Sequence, residues 1–307
     1  MKHTLYDCII VGGGPAGFSA AIYLGRFLRT TLIVDSGHGR STYEEVNENY
    51  LGFPKGIKAK KLRILGKDQA KRFGVHFKHD FITKIHKKAG VFTLTGKDAQ
   101  YQSKSIILAT GVTDRFPQFR DIDEYVGVSL FWCITCDGYK VRDKRVIAIG
   151  NTDDAACTAL QLTRYTQDVT FVTNCPQKNV QISKKWVKRL YEHGVKFVCG
   201  YVTKFVGTDG KIKEVIIDKK TPLPTDFVFS LQGARANADL AVHIGVQVTK
   251  ENYIQTGTQQ RTNVPFVYAA GDVTRMFSHQ VITAAHEGSM AAQSVNYDLY
   301  DPDLKME

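Results

Sequence analysis

The feature that most constrains the fold of this chain is a glycine-rich turn that follows an apolar segment near its N-terminus. The stretch reads "DCIIVGGGPAGFSAAIYL", in which the apolar residues 8–11 precede Gly12, Gly14 and Gly17. This spacing permits a tight turn from a strand into a helix, and it lets backbone N–H groups approach a pyrophosphate at the helix N-terminus. The next apolar segment ends on Asp35, whose carboxylate can accept hydrogen bonds from ribose hydroxyls. The sequence therefore predicts a dinucleotide-binding unit here.

A second stretch, "VIAIGNTDDAACTALQL" at 146–162, repeats the strand, turn and helix with other residues in the turn. Gly150 is retained, but Thr152 stands where a middle glycine leaves room for a phosphate, and Asp153 and Asp154 follow it. The side chain of Thr152 obstructs a phosphate. Asp154 can cap the helix itself and repel a pyrophosphate. We therefore expect a second nucleotide-type fold whose phosphate site is degenerate.

Each of these units is completed later in the chain by a further strand that ends in a glycine. The first is matched by "KSIILATG" at 104–111, and the second by "DFVFSLQG" at 226–233. The last third contains "FVYAAGDV" at 266–273 and then a helical "ITAAHEGSMAAQSV", in which Asp272 can reach a ribityl or phosphate group. This order predicts one nucleotide-binding domain inserted into another.

The length of 307 residues, with 43% hydrophobic and 23% charged residues, suits two hydrophobic cores. We predict an α/β fold with two Rossmann-like, three-layer ββα nucleotide-binding domains. The first domain comprises residues 1–115 and 242–307, and the inserted redox domain comprises residues 116–241. No run approaches the roughly 18 apolar residues of a membrane span. The N-terminus enters a strand without a charged leader or cleavage site, so we expect a cytoplasmic protein without a membrane partner.

The net charge of +11 bears on the choice of partner. Lysines and arginines cluster in "KGIKAKKLR" and "KKWVKR", both on predicted amphipathic helices. A solvated helix face explains such clusters, and a docking surface for an acidic protein is the alternative. We expect no nucleic-acid binding, because no recognition module is visible and the basic residues are not interleaved with stacking aromatics.

Six cysteines are too few and too scattered for a disulfide framework, which leaves "CITC", Cys133 to Cys136, as the informative pair. Two sulfurs at this spacing lie within bonding reach, and a thiolate near a helix N-terminus has the lowered pKa that disulfide exchange needs. Asp137 comes next in the sequence and can pass protons to and from the leaving thiol. Half of a zinc site and a structural disulfide are the alternatives. We predict a redox-active disulfide and no metal, because no second Cys-x-x-Cys or spaced His pair completes a zinc site.

Taken together, these motifs resemble those of the low-molecular-weight thioredoxin reductases over nearly the whole chain. The matching stretches are "GGGPAGFSAAIY", "NENYLGFP", "ILATG", "CITCDG", "AAGDV" and "HQVITAAHEGSMAA". The resemblance implies an FAD domain that encloses a smaller redox domain, in a homodimer. It also implies that Cys136 faces the flavin, that Cys133 exchanges with the substrate disulfide and that Asp137 is the proton donor. The residues that it assigns to FAD are Gly12, Gly14, Pro15, Ala16, Gly17, Asp35, Asn49, Thr110, Gly111, Asp272, Gln280 and Val281.

The chain departs from this family where a conventional member binds NADPH. Besides the altered turn after Gly150, the following strand ends in "TNCP" at 173–176, with Arg164 and Lys178 the nearest bases. No guanidinium is placed for a 2′-phosphate. We therefore expect an FAD-dependent thiol/disulfide oxidoreductase that works without NADPH. Its substrate would be a thioredoxin-like or small-molecule disulfide, and its redox partner ferredoxin or a second FAD.

Three NADPH-independent branches fit these departures: ferredoxin-dependent flavin thioredoxin reductases, deeply rooted thioredoxin reductases and diflavin-linked disulfide oxidoreductases. The charge of +11 favours an acidic donor such as ferredoxin. Two alternatives stay open: an NADPH-dependent thioredoxin reductase with unorthodox cofactor contacts, and a flavin-binding redox sensor that does not turn over. The sensor is disfavoured because Asp137 is an accessory of catalysis.

Overall fold

The computed structural model describes residues 4–306, and the chain forms two compact units. The first unit comprises Met1–Tyr43, Tyr50–Thr113 and Arg235–Glu307, and the second comprises Glu44–Asn49 and Asp114–Ala234. Three details differ from the predicted boundaries: residues 114–115 and Glu44–Asn49 group with the second unit, and residues 235–241 group with the first. Residues 1–3 and 307, which we assigned to the first domain, lie outside the described residues.

Strand–turn–helix units form at 5–26 and 146–162, as the sequence patterns predicted. The helices are α1 Pro15–Arg26, α2 Ala59–Lys71, α3 Ile134–Asp137, α4 Asp153–Leu162, α5 Lys184–Glu192, α6 Asp239–His243 and α7 Val281–Asp298. The strands are β1 Leu5–Val11, β2 Thr31–Asp35, β3 Val46–Asn47, β4 Ile57–Lys58, β5 His76–His79, β6 Ile82–Lys88, β7 Val91–Gly96, β8 Gln100–Leu108, β9 Val112–Asp114, β10 Leu130–Phe131, β11 Val146–Ile149, β12 Val169–Val172, β13 Lys196–Val198, β14 Val202–Thr208, β15 Lys211–Ile217, β16 Thr221–Pro224, β17 Phe227–Ser230, β18 Ala234–Ala236 and β19 Val267–Ala269.

The first unit is built on a seven-stranded sheet in the order β5-β2-β1-β8-β7-β6, with β19 also pairing with β8. Strands β5, β2, β1, β8 and β19 are parallel, whereas β6 and β7 extend the sheet in antiparallel fashion. At the carboxyl edge Val11 pairs with Leu108, and Leu108 pairs with Ala269. Because parallel strands end at the same edge, the loops that follow β1, β8 and β19 are neighbours.

Helices α1 and α7 pack against each other at backbone distance on this sheet. A Cβ atom added at Gly17 would overlap the carbonyl oxygen of Gly12, and one at Gly288 would overlap the carbonyl oxygen of Ala16. Several buried alanines continue this contact, including Ala20, Ala21, Ala291 and Ala292. The small residues in "AGFSAA" and "GSMAA" are therefore what lets α1 lie close to both the turn and α7.

The second unit contains a five-stranded parallel sheet in the order β10-β17-β11-β12-β13, and a separate antiparallel sheet of β14, β15 and β16. Its core joins the alanine face of α4 to aromatic side chains of the strands, such as Phe171 and Phe229. Strand β11 leads into the second glycine-type turn, and β10 leads into α3. The predicted α/β class with two Rossmann-like domains is confirmed. None of the described helices combines the length and the hydropathy needed to cross a bilayer.

A partly buried carboxylate joins the last turn of α7 to β19. The oxygens of Asp298 accept hydrogen bonds from Arg261 Nε at 2.9 Å, Arg261 Nη2 at 2.8 Å and the Tyr268 hydroxyl at 2.5 Å. Burial acts to raise the pKa of Asp298, but the hydrogen bonds from Arg261 and Tyr268 outweigh it, so this pKa lies below its ordinary value. These contacts therefore hold β19 in place, and Asp272 lies in the loop that follows β19.

We expect Asp298→Asn to lower the free energy of unfolding by about 2 kcal/mol, because a neutral amide cannot accept the two charged hydrogen bonds of Arg261. Denaturant unfolding at pH 7 measures this loss. A folded-state pKa below the unfolded one stabilises the protein above the unfolded pKa, and this stabilisation is lost as the pH falls through the folded pKa. The difference in free energy of unfolding between the variant and the wild type should therefore become smaller below about pH 4. Asp301→Asn, at an exposed position nearby, is the control, and equal losses in both variants would contradict the assignment.

Candidate active site

The redox pair lies at the start of α3 in the second unit. Cys133 and Cys136 form a disulfide whose Cα atoms are 5.3 Å apart. Cys133 is the N-cap residue of α3, and its Sγ accepts a hydrogen bond from the backbone N–H of Cys136 at 3.1 Å. A hydrogen bond donated to sulfur favours the thiolate over the thiol. This hydrogen bond therefore favours the thiolate form of Cys133.

Asp137 follows the pair directly and is 1% exposed. Its Oδ1 accepts a hydrogen bond from Lys140 Nζ at 2.7 Å. Burial raises the pKa of Asp137; the Lys140 ammonium acts against this, and the negative charge of Glu48 adds to it, leaving the pKa above its ordinary value. Asp137 therefore holds its proton closer to neutral pH than an exposed aspartate does, as a proton donor to a thiolate requires.

Glu45 is a second buried carboxylate beside the pair. Glu45, Cys136 and Asp137 each place one atom that could ligate a metal within 4.8 Å of the other two. This group is one ligand short of a four-coordinate zinc site, and in the disulfide the sulfur of Cys136 is not a thiolate. The geometry of these three residues therefore favours acid–base chemistry over a zinc centre.

The first glycine turn has the shape that a pyrophosphate requires. Gly14 is the N-cap residue of α1, no side chain caps this end of the helix, and its first turn contains Pro15 and no acidic residue. A Cβ atom at Gly14 would meet nothing within 4 Å, so there is open space above the turn. Gly12 has φ +111°, and a Cβ there would overlap the carbonyl oxygen of Ala109. The backbone N–H groups of Gly14, Ala16 and Gly17 thus fit the pyrophosphate that was predicted for FAD.

Asp35 ends β2 beside this turn. Its Oδ1 accepts a hydrogen bond from the backbone N–H of Gly13 at 3.0 Å, and its Oδ2 forms an ion pair with Arg63. The Nε of Arg63 also donates to the carbonyl oxygen of Gly13 at 3.3 Å. The carboxylate that the sequence assigned to a ribose is therefore held in place by α2, a contact that the motif does not contain.

Thr110 and Gly111 follow β8 at the same edge of the sheet. The Thr110 hydroxyl donates to the carbonyl oxygen of Asn237 at 2.7 Å, and Asn237 Nδ2 donates to the carbonyl oxygen of Thr110 at 3.0 Å. The backbone N–H of Asn237 donates to the carbonyl oxygen of Gly111 at 3.0 Å. Gly111 has φ +65°, which favours glycine. Asn237 therefore fixes the shape of this loop.

The loop after β19 is held by two ion pairs. Asp272 pairs with Arg40 at 2.8 Å, and the buried Glu287 of α7 pairs with Arg275. Glu287 also accepts hydrogen bonds from the backbone N–H of Gly271 at 2.7 Å and from a neighbouring threonine hydroxyl at 3.0 Å. The position of Asp272 is thus fixed from both sides of the loop.

Gln280 and Val281 begin α7, where Gln280 forms a capping box with Thr283. Asn49 belongs to the segment Glu44–Asn49, which groups with the second unit. The first unit thus brings together most of the residues predicted to bind FAD at one sheet edge, and Asn49 is not among them.

The second turn is closed by its own side chains. Thr152 is the N-cap residue of α4, and its Oγ1 accepts a hydrogen bond from the backbone N–H of Ala155 at 3.2 Å. The expectation that Asp154 caps this helix is wrong: Thr152 lies one residue before the first turn, in the extended conformation that a capping side chain needs. Asp153 and Asp154 lie in the first turn, where they occupy the positive end of the helix with negative charge.

A loop following β12 is hydrogen-bonded to this turn. Asn151 accepts from the backbone N–H of Gln181 at 3.0 Å and donates to the carbonyl oxygen of Asn179 at 3.1 Å. Asp153 accepts from the backbone N–H of Ser183 at 2.7 Å. These polar side chains of the turn therefore bind the chain itself.

Comparison with known proteins bears on what this arrangement does. The family model described as pyridine nucleotide-disulphide oxidoreductase matches residues 6–292. The chain belongs to this family. A thioredoxin reductase of Treponema pallidum is 33% identical over 95% of this chain and 96% of its own length. One of Listeria monocytogenes is 29% identical over 99% of this chain and 96% of its own length. The crystal structure of thioredoxin reductase from Streptococcus pyogenes matches with a TM-score of 0.89 and 27% identity, over 97% of this chain and 99% of that one.

This pyridine nucleotide-disulphide oxidoreductase is therefore an FAD-dependent disulfide oxidoreductase enzyme of the thioredoxin reductase type. The predictions of an enzyme, of FAD and of a resemblance to thioredoxin reductases are confirmed. The narrower prediction of an NADPH-independent branch gains no support, since the matched family is described by its pyridine nucleotide and the relatives are named thioredoxin reductase.

Sequence reasoning missed the charged and polar side chains that hold the motifs of this oxidoreductase in place. None of them belongs to a spacing rule, although Lys140 and Glu287 lie in or next to quoted motifs; the residues are Arg40, Glu45, Arg63, Lys140, Asn237 and Glu287. The one available signal was Glu45, which directly precedes the "VNENYLGFP" stretch.

With NADPH tested as electron donor, we expect Thr152→Gly to lower the KM for the nucleotide by about threefold, because removing the side chain frees a backbone N–H and the space that a pyrophosphate needs. Glycine at an N-cap costs only a few tenths of a kcal/mol, so the fold should survive. Steady-state kinetics with a thioredoxin substrate measures the change. Thr152→Ser, which keeps the capping hydroxyl, is the matched control. If the glycine and serine variants share one KM, the side chain does not obstruct the nucleotide.

Proposed function

We propose that this chain reduces the disulfide of a thioredoxin-like protein, with FAD bound by the first unit and the Cys133–Cys136 pair as electron carrier. The observation that carries the proposal is the joined cysteine pair next to a buried acid, Asp137. The relatives named thioredoxin reductase support the substrate class.

In this proposal the first glycine turn binds the pyrophosphate of FAD through backbone N–H groups at the start of α1. Asp35 and Asp272 serve as hydrogen-bond acceptors for the sugar hydroxyls, and Arg63 and Arg40 hold these carboxylates in place. The first turn of α7, at Gln280 and Val281, completes the set. Bound FAD supplies a carrier that takes up an electron pair and passes it to a disulfide.

The chemistry of the cysteine pair follows from its own contacts. Two electrons break the bond between Cys133 and Cys136 and leave two sulfur anions, one of which takes a proton from Asp137. The Cys133 thiolate, stabilised by the Cys136 N–H, attacks the partner disulfide, forms a mixed disulfide and releases one partner thiolate. Cys136, the sulfur that took the proton, returns it to Asp137, and the resulting thiolate attacks Cys133 Sγ, which restores the intramolecular disulfide and releases the second partner thiolate. The two partner thiolates take up protons from solvent, so that electrons and protons balance.

The electron donor that we propose is a reduced pyridine nucleotide. The family match over residues 6–292 supports it, and so does the five-stranded parallel sheet of the second unit, in which β11 leads into the glycine-type turn. The contacts in this turn would then be unorthodox, since Thr152 caps α4 and no arginine occupies residues 173–178.

A second candidate donor is an acidic electron carrier such as ferredoxin, or a second FAD. The observation that favours it is the closure of the second turn, where Asn151 and Asp153 bind the loop Asn179 to Ser183. The net charge of +11 suits an acidic partner. The homodimer and the cytoplasmic location stay predictions.

We expect Cys133→Ser and Cys136→Ser each to abolish turnover with a thioredoxin substrate, because neither single sulfur can accept an electron pair as a disulfide. Coupled thioredoxin reduction measures the loss. Cys157→Ser, at a partly buried cysteine outside the pair, is the control and should retain activity. Full activity in both variants of the pair would contradict the proposal.

Anaerobic reduction of the purified flavoprotein distinguishes the donors. Stoichiometric NADPH should bleach the flavin absorbance if the pyridine nucleotide is the donor, whereas bleaching by reduced ferredoxin but not by NADPH would favour the second candidate. Dithiothreitol serves as the positive control, because it reduces the cysteine pair directly. The ratio of extracted flavin to chain tests for a second FAD, since two flavins per chain would leave no nucleotide site.

A further inference from the structure

A cavity of about 580 Å³ lies in the second unit, between α5, β13 and the loop that precedes α5. We call it the α5 cavity. Much of its wall is apolar, formed by side chains such as Val180, Val187 and Phe197. Cavities that bind small molecules have volumes of roughly 300–1,000 Å³. None of residues 150–155, which form the second turn, lines the α5 cavity, so it is a separate site from the predicted nucleotide site.

Aromatic rings form one wall of the α5 cavity. The rings of Phe197 and Tyr191 both line it, with their centres 6.2 Å apart. On the core side the ring of Phe197 is stacked on that of Phe171, at 5.8 Å between centres and an interplanar angle of 3°. Because Phe171 is buried in the core of the unit, it fixes the position of Phe197. The wall is therefore a preformed surface against which a flat ring can pack.

The charged side chains of the α5 cavity leave one positive charge unpaired. Lys184 and Lys188 both line it, and they lie one helical turn apart on the same face of α5. The Nζ of Lys188 is 3.6 Å from Glu192 Oε1, which also lines the cavity. The ammonium of Lys184 forms no ion pair with any of residues 4–306. The cavity therefore complements a ligand with a single negative charge.

Gln177 adds hydrogen-bond donors to the same cavity. Its Oε1 accepts a hydrogen bond from Cys199 Sγ at 2.8 Å, which fixes the orientation of the amide. The amide nitrogen has no acceptor within the described part of the chain, so its two N–H groups are available to an anion. A ligand that pairs with Lys184 and Gln177 while its ring covers Phe197 satisfies both the polar and the apolar parts of the wall.

The loop before α5 is shared between the α5 cavity and the second turn. Its side chains on the cavity side are Gln177, Val180 and Ile182. Backbone groups of the alternate residues 179, 181 and 183 bind the turn instead, at 3.0 and 3.1 Å from the side chain of Asn151 and 2.7 Å from that of Asp153. Any ligand that packs on one side of this loop therefore acts on the position of the other side.

We propose that the α5 cavity binds a small aromatic monoanion, such as a ring-bearing carboxylate, and that the 177–183 loop couples this site to the second turn. The anionic group pairs with Lys184 and accepts hydrogen bonds from Gln177, and the ring lies against Phe197. A bound ligand stabilises the loop in the position that closes the turn. By thermodynamic linkage, any molecule that must displace the loop from the turn then binds more weakly. The inference goes beyond the proposed function and does not depend on it.

The binding test is equilibrium dialysis of the FAD-loaded protein against 2-naphthoate, an aromatic monoanion, and against 2-naphthamide, its uncharged analogue of the same shape. We expect one 2-naphthoate per chain with a Kd of about 100 µM or lower. 2-Naphthamide should bind about fivefold more weakly, because it lacks the charge that pairs with Lys184.

Variants on α5 assign the binding to the cavity. Lys184→Met should weaken 2-naphthoate about fivefold and leave 2-naphthamide unchanged. Lys185→Met removes the same charge from the neighbouring exposed position, which does not line the cavity, and is the matched control. Val187→Trp places a larger side chain in the cavity and should weaken both compounds at least tenfold. The absence of saturable binding would overturn the proposal, as would equal effects of the two lysine variants.

Hydrogen exchange, read by mass spectrometry, tests the coupling to the second turn. The N–H groups of Gln181 and Ser183 are those that bind Asn151 and Asp153, so they exchange only when the loop leaves the turn. With 2-naphthoate at ten times its Kd, their exchange should slow by about tenfold, while that of α2 stays unchanged. Asn151→Ala should accelerate this exchange and also weaken 2-naphthoate. Exchange that saturating 2-naphthoate leaves unchanged would overturn the coupling.

Neither measurement uses thioredoxin or an electron donor. A protein that binds 2-naphthoate as described but fails to reduce thioredoxin would contradict the proposed substrate and leave this inference standing. A protein that reduces thioredoxin and does not bind 2-naphthoate would contradict this inference alone.

Discussion

The close approach of α1 to the loop after β1 and to α7 is the constraint on which the first unit depends. Gly17 contacts the carbonyl of Gly12, and Gly288 contacts the carbonyl of Ala16, at distances where any side chain would overlap the backbone. This packing sets the N-terminus of α1 directly above the carboxyl end of β1. Since β8 and β19 are in register with β1, the loops carrying Thr110 and Asp272 end at the same edge.

The two turns of the chain show how little change converts an open phosphate site into a closed one. Both follow a buried parallel strand and precede a helix, yet the N-cap residue is Gly14 in one and Thr152 in the other. With glycine, the N–H groups of the first turn have no side-chain acceptor and attract a phosphate. With Thr152, Asp153 and the bound loop, the second turn satisfies its own groups. This self-capping distinguishes the second turn from the first, although the strand and helix on either side of the turn are retained.

At the redox centre the decisive quantity is buried charge. A disulfide that accepts two electrons becomes two sulfur anions, and a proton donor and a cation close by stabilise that product. Asp137 and Lys140 are both on the short stretch after Cys136, and the third charged group, Glu45, is brought in by a segment more than eighty residues earlier in the chain. Because that segment groups with the second unit, Glu45 lies within 4.8 Å of Asp137 and of the sulfur of Cys136.

By itself the sequence determined the features that depend on local chemistry: two strand–turn–helix units, the α/β class, the joined pair Cys133 and Cys136, and the place of Asp137 beside it. Glycine spacing and cysteine spacing act over a few residues, so a linear pattern predicts them. Most of the residues that the sequence predicted to bind FAD follow parallel strands, which is why the fold brings them to one sheet edge.

Only the tertiary structure decided which distant side chains complete these motifs. In the structure, Asp35 pairs with Arg63, and Asp272 pairs with Arg40. Thr152 rather than Asp154 caps α4. Asn49 groups with the second unit. The fold also sets Lys140 and Glu45 around Asp137. Ion pairs and buried hydrogen bonds form wherever folding brings opposite groups together, and their energy depends on distance and burial rather than on separation along the chain. For that reason the motifs could be predicted from the sequence, whereas the charged side chains that hold their residues in place could not.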